Sequence, residues 1–173
     1  MRGKAFFLVS LAFLFYSCAS KVCPKPEEVL NTAFKEPKDG TYYGYLKVNL
    51  LRTPFVIKKQ GESEEVKTGI PGVSISTSTL CYEGTCIELP VKPSQVLYGY
   101  FPGKYKVESC NGEIVLRSED GMTLFFEKGT LKQVNYKNIS LIYGKRTPEG
   151  YFRDITIKVN DLEAKLVVEG RGI

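Results

Sequence analysis

Read for the alternation of apolar and polar side chains, most of the chain carries the period of two that marks half-buried strands. From Thr41 to Asn49, Tyr42, Gly44, Leu46 and Val48 fall on one face and Tyr43, Tyr45, Lys47 and Asn49 on the other. Val73 to Thr79 alternates with serine at 74, 76 and 78, which reads as a solvated face. Lys104 to Ser109 sets Tyr105 and Val107 against Lys104, Lys106 and Glu108. Asn111-Gly112, Asp120-Gly121, Lys128-Gly129, Glu149-Gly150 and Asn160-Asp161 punctuate further apolar runs through Leu162–Val168. Turn signals at such short intervals, with no helical pattern between them, predict a mainly β fold of roughly ten strands in an antiparallel meander.

Two segments break the alternation. Pro24 to Phe34 places Val29, Leu30, Ala33 and Phe34 at helical spacing, with Glu27 and Glu28 at the end where the helix dipole favours acids. This predicts one amphipathic helix, stopped by Glu36-Pro37-Lys38-Asp39-Gly40. Between Pro90 and Gly103, Ser94 is placed to cap a short helical turn carrying Val96, Leu97 and Tyr98, which would lie across an open sheet face.

The first residues have another character. Arg2 and Lys4 precede an apolar run from Ala5 to Tyr16, too short to span a bilayer, which takes about 20 residues. A basic start, a short apolar core and small residues after it describe an export signal. Ser17-Cys18-Ala19-Ser20 resembles a bacterial lipoprotein processing site, at which Cys18 would be acylated and become the new N-terminus; cleavage after Ala19 is the alternative. The expected organisation is a signal over 1–17, a lipidated tether over 18–24 and one domain over 25–173. Ala19 rather than Asp after Cys18 resembles the rule by which some bacteria sort lipoproteins outward, so the expected location is the cell envelope, at the outer membrane facing the periplasm.

Composition narrows the chemistry. Lys and Arg total 24 against 19 Asp and Glu, a net charge of +5, and loss of residues 1–17 removes Arg2 and Lys4 and leaves +3. The longest basic clusters after that are the pairs Lys58-Lys59 and Lys145-Arg146, so no contiguous stripe suggests nucleic acid. The chain has no histidine, which closes Ser-His-Asp, Cys-His and histidine–metal chemistry. The carboxylates Glu119, Asp120, Asp154, Asp161 and Glu163 are scattered, and no pair suggests acid–base catalysis. A non-enzymatic protein without cofactor or metal is expected.

Four cysteines follow the processing site: Cys23, Cys81, Cys86 and Cys110. In an exported chain an even number reads first as disulfides, ahead of a metal site or a redox pair. Glu83-Gly84 would turn tightly enough to bring Cys81 and Cys86 to facing positions of a hairpin, which leaves Cys23 to pair with Cys110.

The order of elements now resembles a known family. A signal ending at a cysteine, one helix, and a long meander broken by a short helical segment are similar to the LolA/LolB-type lipoprotein carriers. The likeness is carried by Gly44-Tyr45-Leu46-Lys47-Val48, by Leu89-Pro90 through Leu97-Tyr98-Gly99, and by Tyr143 with Phe152-Arg153-Asp154-Ile155-Thr156-Ile157 and the last strand through Leu166. The chain departs from the family's outer-membrane members in lacking tryptophan. The resemblance implies an incomplete, half-open barrel curled around a helical lid, with an apolar cavity for acyl chains of lipoproteins or lipids. Tyr42, Leu46, Val48, Phe55, Ile57, Val73, Ile75, Tyr105, Val107, Leu124 and Phe126 are the expected wall, against the plainer reading that they fill a core. It also implies an apolar loop that enters the membrane, for which Leu50-Leu51 and Ile70 with Val73 are candidates; burial of these loops on the core is the alternative. Two other functions compete. One is a packed structural or assembly lipoprotein that binds other envelope proteins, and the other is a secreted small-molecule binder.

Overall fold

The computed structural model describes residues 22–173. The export signal and Cys18 lie outside the described residues. Helix α1 spans Pro26–Ala33, with proline in its first turn, where its missing N–H costs nothing. A chain of hairpins follows. The first six strands are β1 (Gly40–Val48), β2 (Leu51–Gln60), β3 (Ser63–Thr68), β4 (Val73–Ser76), β5 (Thr79–Tyr82) and β6 (Thr85–Glu88). Helix α2 (Pro93–Tyr98) interrupts them. The last seven are β7 (Tyr105–Ser109), β8 (Ile114–Ser118), β9 (Thr123–Glu127), β10 (Thr130–Tyr136), β11 (Ile139–Tyr143), β12 (Asp154–Val159) and β13 (Leu162–Gly172).

All thirteen strands belong to one antiparallel sheet in the order β6-β5-β4-β3-β2-β1-β13-β12-β11-β10-β9-β8-β7. The two halves of the meander meet where β13 returns to pair with β1, so the sheet is not closed and its edges are β6 and β7. The mainly β expectation holds. The strand count exceeds it because Ser63–Thr68 and Thr85–Glu88 lack clear apolar alternation.

The alternation read along β1 sorts the faces as expected: Tyr42 is fully buried and Tyr43 exposed. One face of the sheet, with Phe55, Ile57 and Val66 from one half and Leu116, Leu124, Phe126, Leu131 and Val134 from the other, packs into a single core with both helices. Gly44 is required in mid-strand, where the backbone of β13 comes close to β1. A β-carbon there would overlap the Val167 carbonyl and come within 3.0 Å of the Phe55 ring. A register irregularity between Tyr43 and Gly44 opposite β13 lies at the same point.

The turns follow their local chemistry. Glu83 (φ 49°) and Gly84 (φ 84°) are both left-handed, as the two-residue turn matching strand twist demands. Cys81 and Cys86 are direct cross-strand partners with α-carbons 4.1 Å apart, and Cys23 and Cys110 stand 5.7 Å apart. Both pairs are at bonding distance. The second joins the segment ahead of α1 to the residue that follows β7, and past the other end of α1 Phe34 stacks edge-on against Tyr100 at 5.6 Å.

Candidate functional site

Helix α2 is only six residues long, too short to stand alone in water, and tertiary bonds hold it at both ends. At its start the N-cap is Lys92 rather than Ser94, because Pro93 occupies the first helical position. Ser94 is fully buried one residue inside the helix. Its backbone N–H donates to Glu64 Oε1 at 2.7 Å and its hydroxyl to Glu64 Oε2 at 2.6 Å. Glu64 thus reaches from β3 to satisfy helix donors that have no partner within the helix. Gln95 closes the same turn by accepting the Lys92 N–H at 2.8 Å.

At the other end every exposed carbonyl of the helix is received. Tyr143 donates its hydroxyl to Val96 O at 2.7 Å, Phe152 N–H donates to Leu97 O at 2.8 Å, and Arg146 Nη2 reaches Tyr98 O at 3.4 Å. Gly99, at φ 59°, turns the chain left-handed so that its N–H bonds Val96 O and the Tyr100 N–H bonds Gln95 O, the two-bond C-terminal motif that glycine permits. Beneath it, the Tyr42 and Tyr98 hydroxyls bond at 2.7 Å and Tyr151 stacks edge-on with both rings. Burial pushes the Tyr42 hydroxyl well above its ordinary pKa, and the Tyr98 bond adds to it. Burial does the same to Tyr143 and raises Tyr105 to about 12.

The inner face is therefore filled at the end of the sheet where β1 begins. Tyr42, Tyr98, Phe152, Leu131 and Ile155 are all fully buried there. Toward the opposite end the walls part around an apolar cavity of about 300 Å³. Leu46, Phe55, Ile57 and Ile75 from β1, β2 and β4 face Val134, Ile139 and Ile157 from the second half of the meander. Leu89 through Leu97, the approach to α2 and its underside, forms the roof. Among the lining residues only Thr68 and Tyr136 carry hydroxyls. The inward-facing Leu46, Tyr136, Ile139, Ile157 and Leu166 remain partly exposed, which places the mouth at the end bearing the β1–β2, β10–β11 and β12–β13 turns.

Of the expected wall residues, Leu46, Phe55, Ile57 and Ile75 line this cavity. Tyr42, Leu124 and Phe126 do not, because they are sealed in the filled core. Tyr105 and Val107, on edge strand β7, pack against the core from outside the cavity, and Val48 and Val73 also lie off its lining. The roof residues Val96 and Leu97 belong to the turn expected across the open face, whereas Val91 and the far-wall residues Val134, Leu141 and Leu166 were not among the expected wall. Period-two alternation in β10, β11 and β13 marks the last three as inward, but it does not show where along a strand the packing stops.

The candidate membrane loops divide. Leu50 is 99% exposed and Leu51 76%, so the β1–β2 turn is not anchored on the core. Ile70 is marginally exposed at 37%, and Val73 is half-buried. Beside the start of α2 lies a second hollow, of about 240 Å³ and polar. There Lys92 Nζ meets Glu62 at 2.5 Å and Lys59 Nζ meets Asp39 at 3.0 Å, and each lysine holds its partner's carboxyl below the usual range.

Compared with known protein families, with curated proteins and with solved structures, the chain finds no match.

Proposed function

We propose that this chain is a non-enzymatic, lipid-anchored envelope protein that takes acyl chains of lipoproteins or lipids into its apolar cavity for transfer or insertion at the outer membrane. The observation that carries the reading is a cavity of about 300 Å³ walled almost wholly by apolar side chains and open at one end of the sheet. A dry apolar void costs the fold packing contacts, and an alkyl chain would restore them. A methylene takes about the liquid volume of a water molecule, ~30 Å³, so the space suits roughly ten carbons of one chain. Burial at about 0.8 kcal/mol per methylene then amounts to ~8 kcal/mol, a micromolar ceiling for the tail alone before the cost of association. Such binding is reversible, as handover requires. The LolA/LolB-type resemblance and the export signal with Cys18 supply the envelope setting.

Native mass spectrometry tests this on the chain from Ala19 onward, exported to a bacterial periplasm and purified without detergent. The expected result is a mass excess matching phospholipid or acylated peptide that an organic wash removes. A bare mass that stays bare after incubation with lipid refutes the carrier and favours a packed structural lipoprotein that binds other envelope proteins.

A further inference from the structure

The outer face of the sheet carries a feature invisible in the linear sequence. Lys47 on β1 stands directly across from Arg52 on β2 and directly across from Lys165 on β13, so three cations form one row over three adjacent strands. Like charges in directly opposed positions disfavour the sheet, yet little offsets them. Arg52 meets Glu169 at 3.3 Å and lies over the Tyr45 ring at 3.5 Å. Among the described residues Lys47 and Lys165 have no ion-pair partner, and both are exposed.

The row sits immediately behind a cluster of exposed apolar side chains. Leu50 and Leu51 form the tip of the β1–β2 hairpin, and Leu162, 53% exposed, starts β13 beside them, two residues before the partner of Val48. Lys47 and Arg52 form the rung next to Val48 and Leu51, from which the two-residue turn with Leu50 projects, so the row lies within ~10 Å of the tip, and interfacial segments bury their apolar side about 5–10 Å into a bilayer surface. Tip and row therefore match the acyl boundary and the headgroup layer. We infer that the row Arg52–Lys47–Lys165 is a docking surface for an anionic lipid bilayer, with Leu50, Leu51 and Leu162 entering the interface and the cavity mouth held against the membrane. Nucleic acid would meet the cations but leave three leucines facing water, so lipid is the partner that satisfies both. The purpose assigned to this surface rests on the acyl-carrier reading; its binding does not.

The test is co-sedimentation of the chain from Ala19, which retains every contact described above, with vesicles of phosphatidylcholine alone or mixed in equal parts with phosphatidylglycerol. The native chain should prefer the anionic vesicles, and added salt should erase the preference. Each cation near an anionic surface is worth about a fivefold gain in partitioning, so Lys47→Gln/Lys165→Gln should lose roughly 25-fold on anionic vesicles and little on neutral ones. Its thermal midpoint should not fall, because neither lysine holds an ion-pair partner and their loss relieves the repulsion along the row. Leu50→Ser/Leu51→Ser should weaken binding to both kinds of vesicle. Equal binding of the native chain to both vesicles, an unaffected lysine variant, or displacement from vesicles by duplex DNA at equal charge each overturns the inference. The carrier reading is judged separately by co-purified lipid. A chain that carries none yet prefers anionic vesicles loses the carrier and keeps the docking surface, and a loaded chain indifferent to vesicle charge does the reverse.

Discussion

The roof of the cavity depends on one buried carboxyl group, and removing it is the most informative perturbation. Glu64 is 3% exposed and accepts two hydrogen bonds from Ser94, one from the backbone at 2.7 Å and one from the hydroxyl at 2.6 Å. Net hydrogen bonds to a charged group are worth about 1.5–3 kcal/mol each. Glu64→Ala loses both and strands a buried N–H, but it also removes a carboxyl group from a desolvated position; the balance is a loss of ~3 kcal/mol. Ser94→Ala loses only the hydroxyl bond, about 2 kcal/mol. Because the hydroxyl bond is shared, the double variant should fall short of the sum by ~1.5–2 kcal/mol, whereas independent sites add within about 0.3–0.5 kcal/mol. Chemical denaturation of the four proteins measures this cycle, and amide exchange over residues 93–101 reports whether α2 loosens ahead of the sheet. Additivity within that limit, or unchanged exchange in Glu64→Ala, refutes the assignment of Glu64 as the anchor of the roof.

Three further outcomes are expected. Gly99→Ala forces a side chain into the left-handed region, with its β-carbon 2.8 Å from Phe152 and 2.9 Å from Leu131; it should cost at least ~2 kcal/mol, and a thermal midpoint within a degree of native contradicts the constraint. In the chain-entropy account, opening the Cys23–Cys110 link, 87 residues apart, should cost about 4.5 kcal/mol and opening Cys81–Cys86, five apart, about 2; paired serine variants compared by denaturation test the order, and equal costs would count against it. Above about pH 10 the unfolded chain loses its tyrosine protons while buried Tyr42 and Tyr143 keep theirs, so stability is intact below pH 10 and falls as pH rises, by about 1.4 kcal/mol per pH unit for each. Tyr143→Phe should flatten that alkaline slope, and an unchanged slope would mean that its hydroxyl is not held from solvent.

The fold was legible wherever burial and alternation coincide. Tyr42, Leu46 and Phe55 point inward as their positions in the pattern predict. The pattern misleads where an inward position holds a charge. Glu64 breaks the apolar face of Ser63–Thr68, and the reason lies thirty residues further on, at Ser94. Ser94 itself reads as an N-cap, but Pro93 moves the helix start and the cap function passes to a residue on another strand. The wall of the cavity was only partly legible, since alternation assigns a face to Leu124 and Leu46 alike. Only the placement of α1 and α2 decides that the first is sealed and the second lines open space. The cationic row was hidden for a related reason: Lys47, Arg52 and Lys165 become neighbours only through the pairing of β1 with β2 and β13.

These observations bear on how the cavity would be reached. A lid that swings aside needs one end free, but α2 is bonded at its start through Ser94 to Glu64 and at its end through three carbonyls to Tyr143, Phe152 and Arg146. Breaking either set exposes buried polar groups, at about 1–3 kcal/mol for each left unpaired. The opposite end of the sheet carries no such obstacle, since Leu46, Tyr136, Ile139, Ile157 and Leu166 already meet solvent and only hairpin turns surround them. An acyl chain entering between those turns need not move the helix. It would enter at the end where Leu50, Leu51 and Leu162 protrude, so the route into the cavity and the bilayer-facing surface proposed above would coincide.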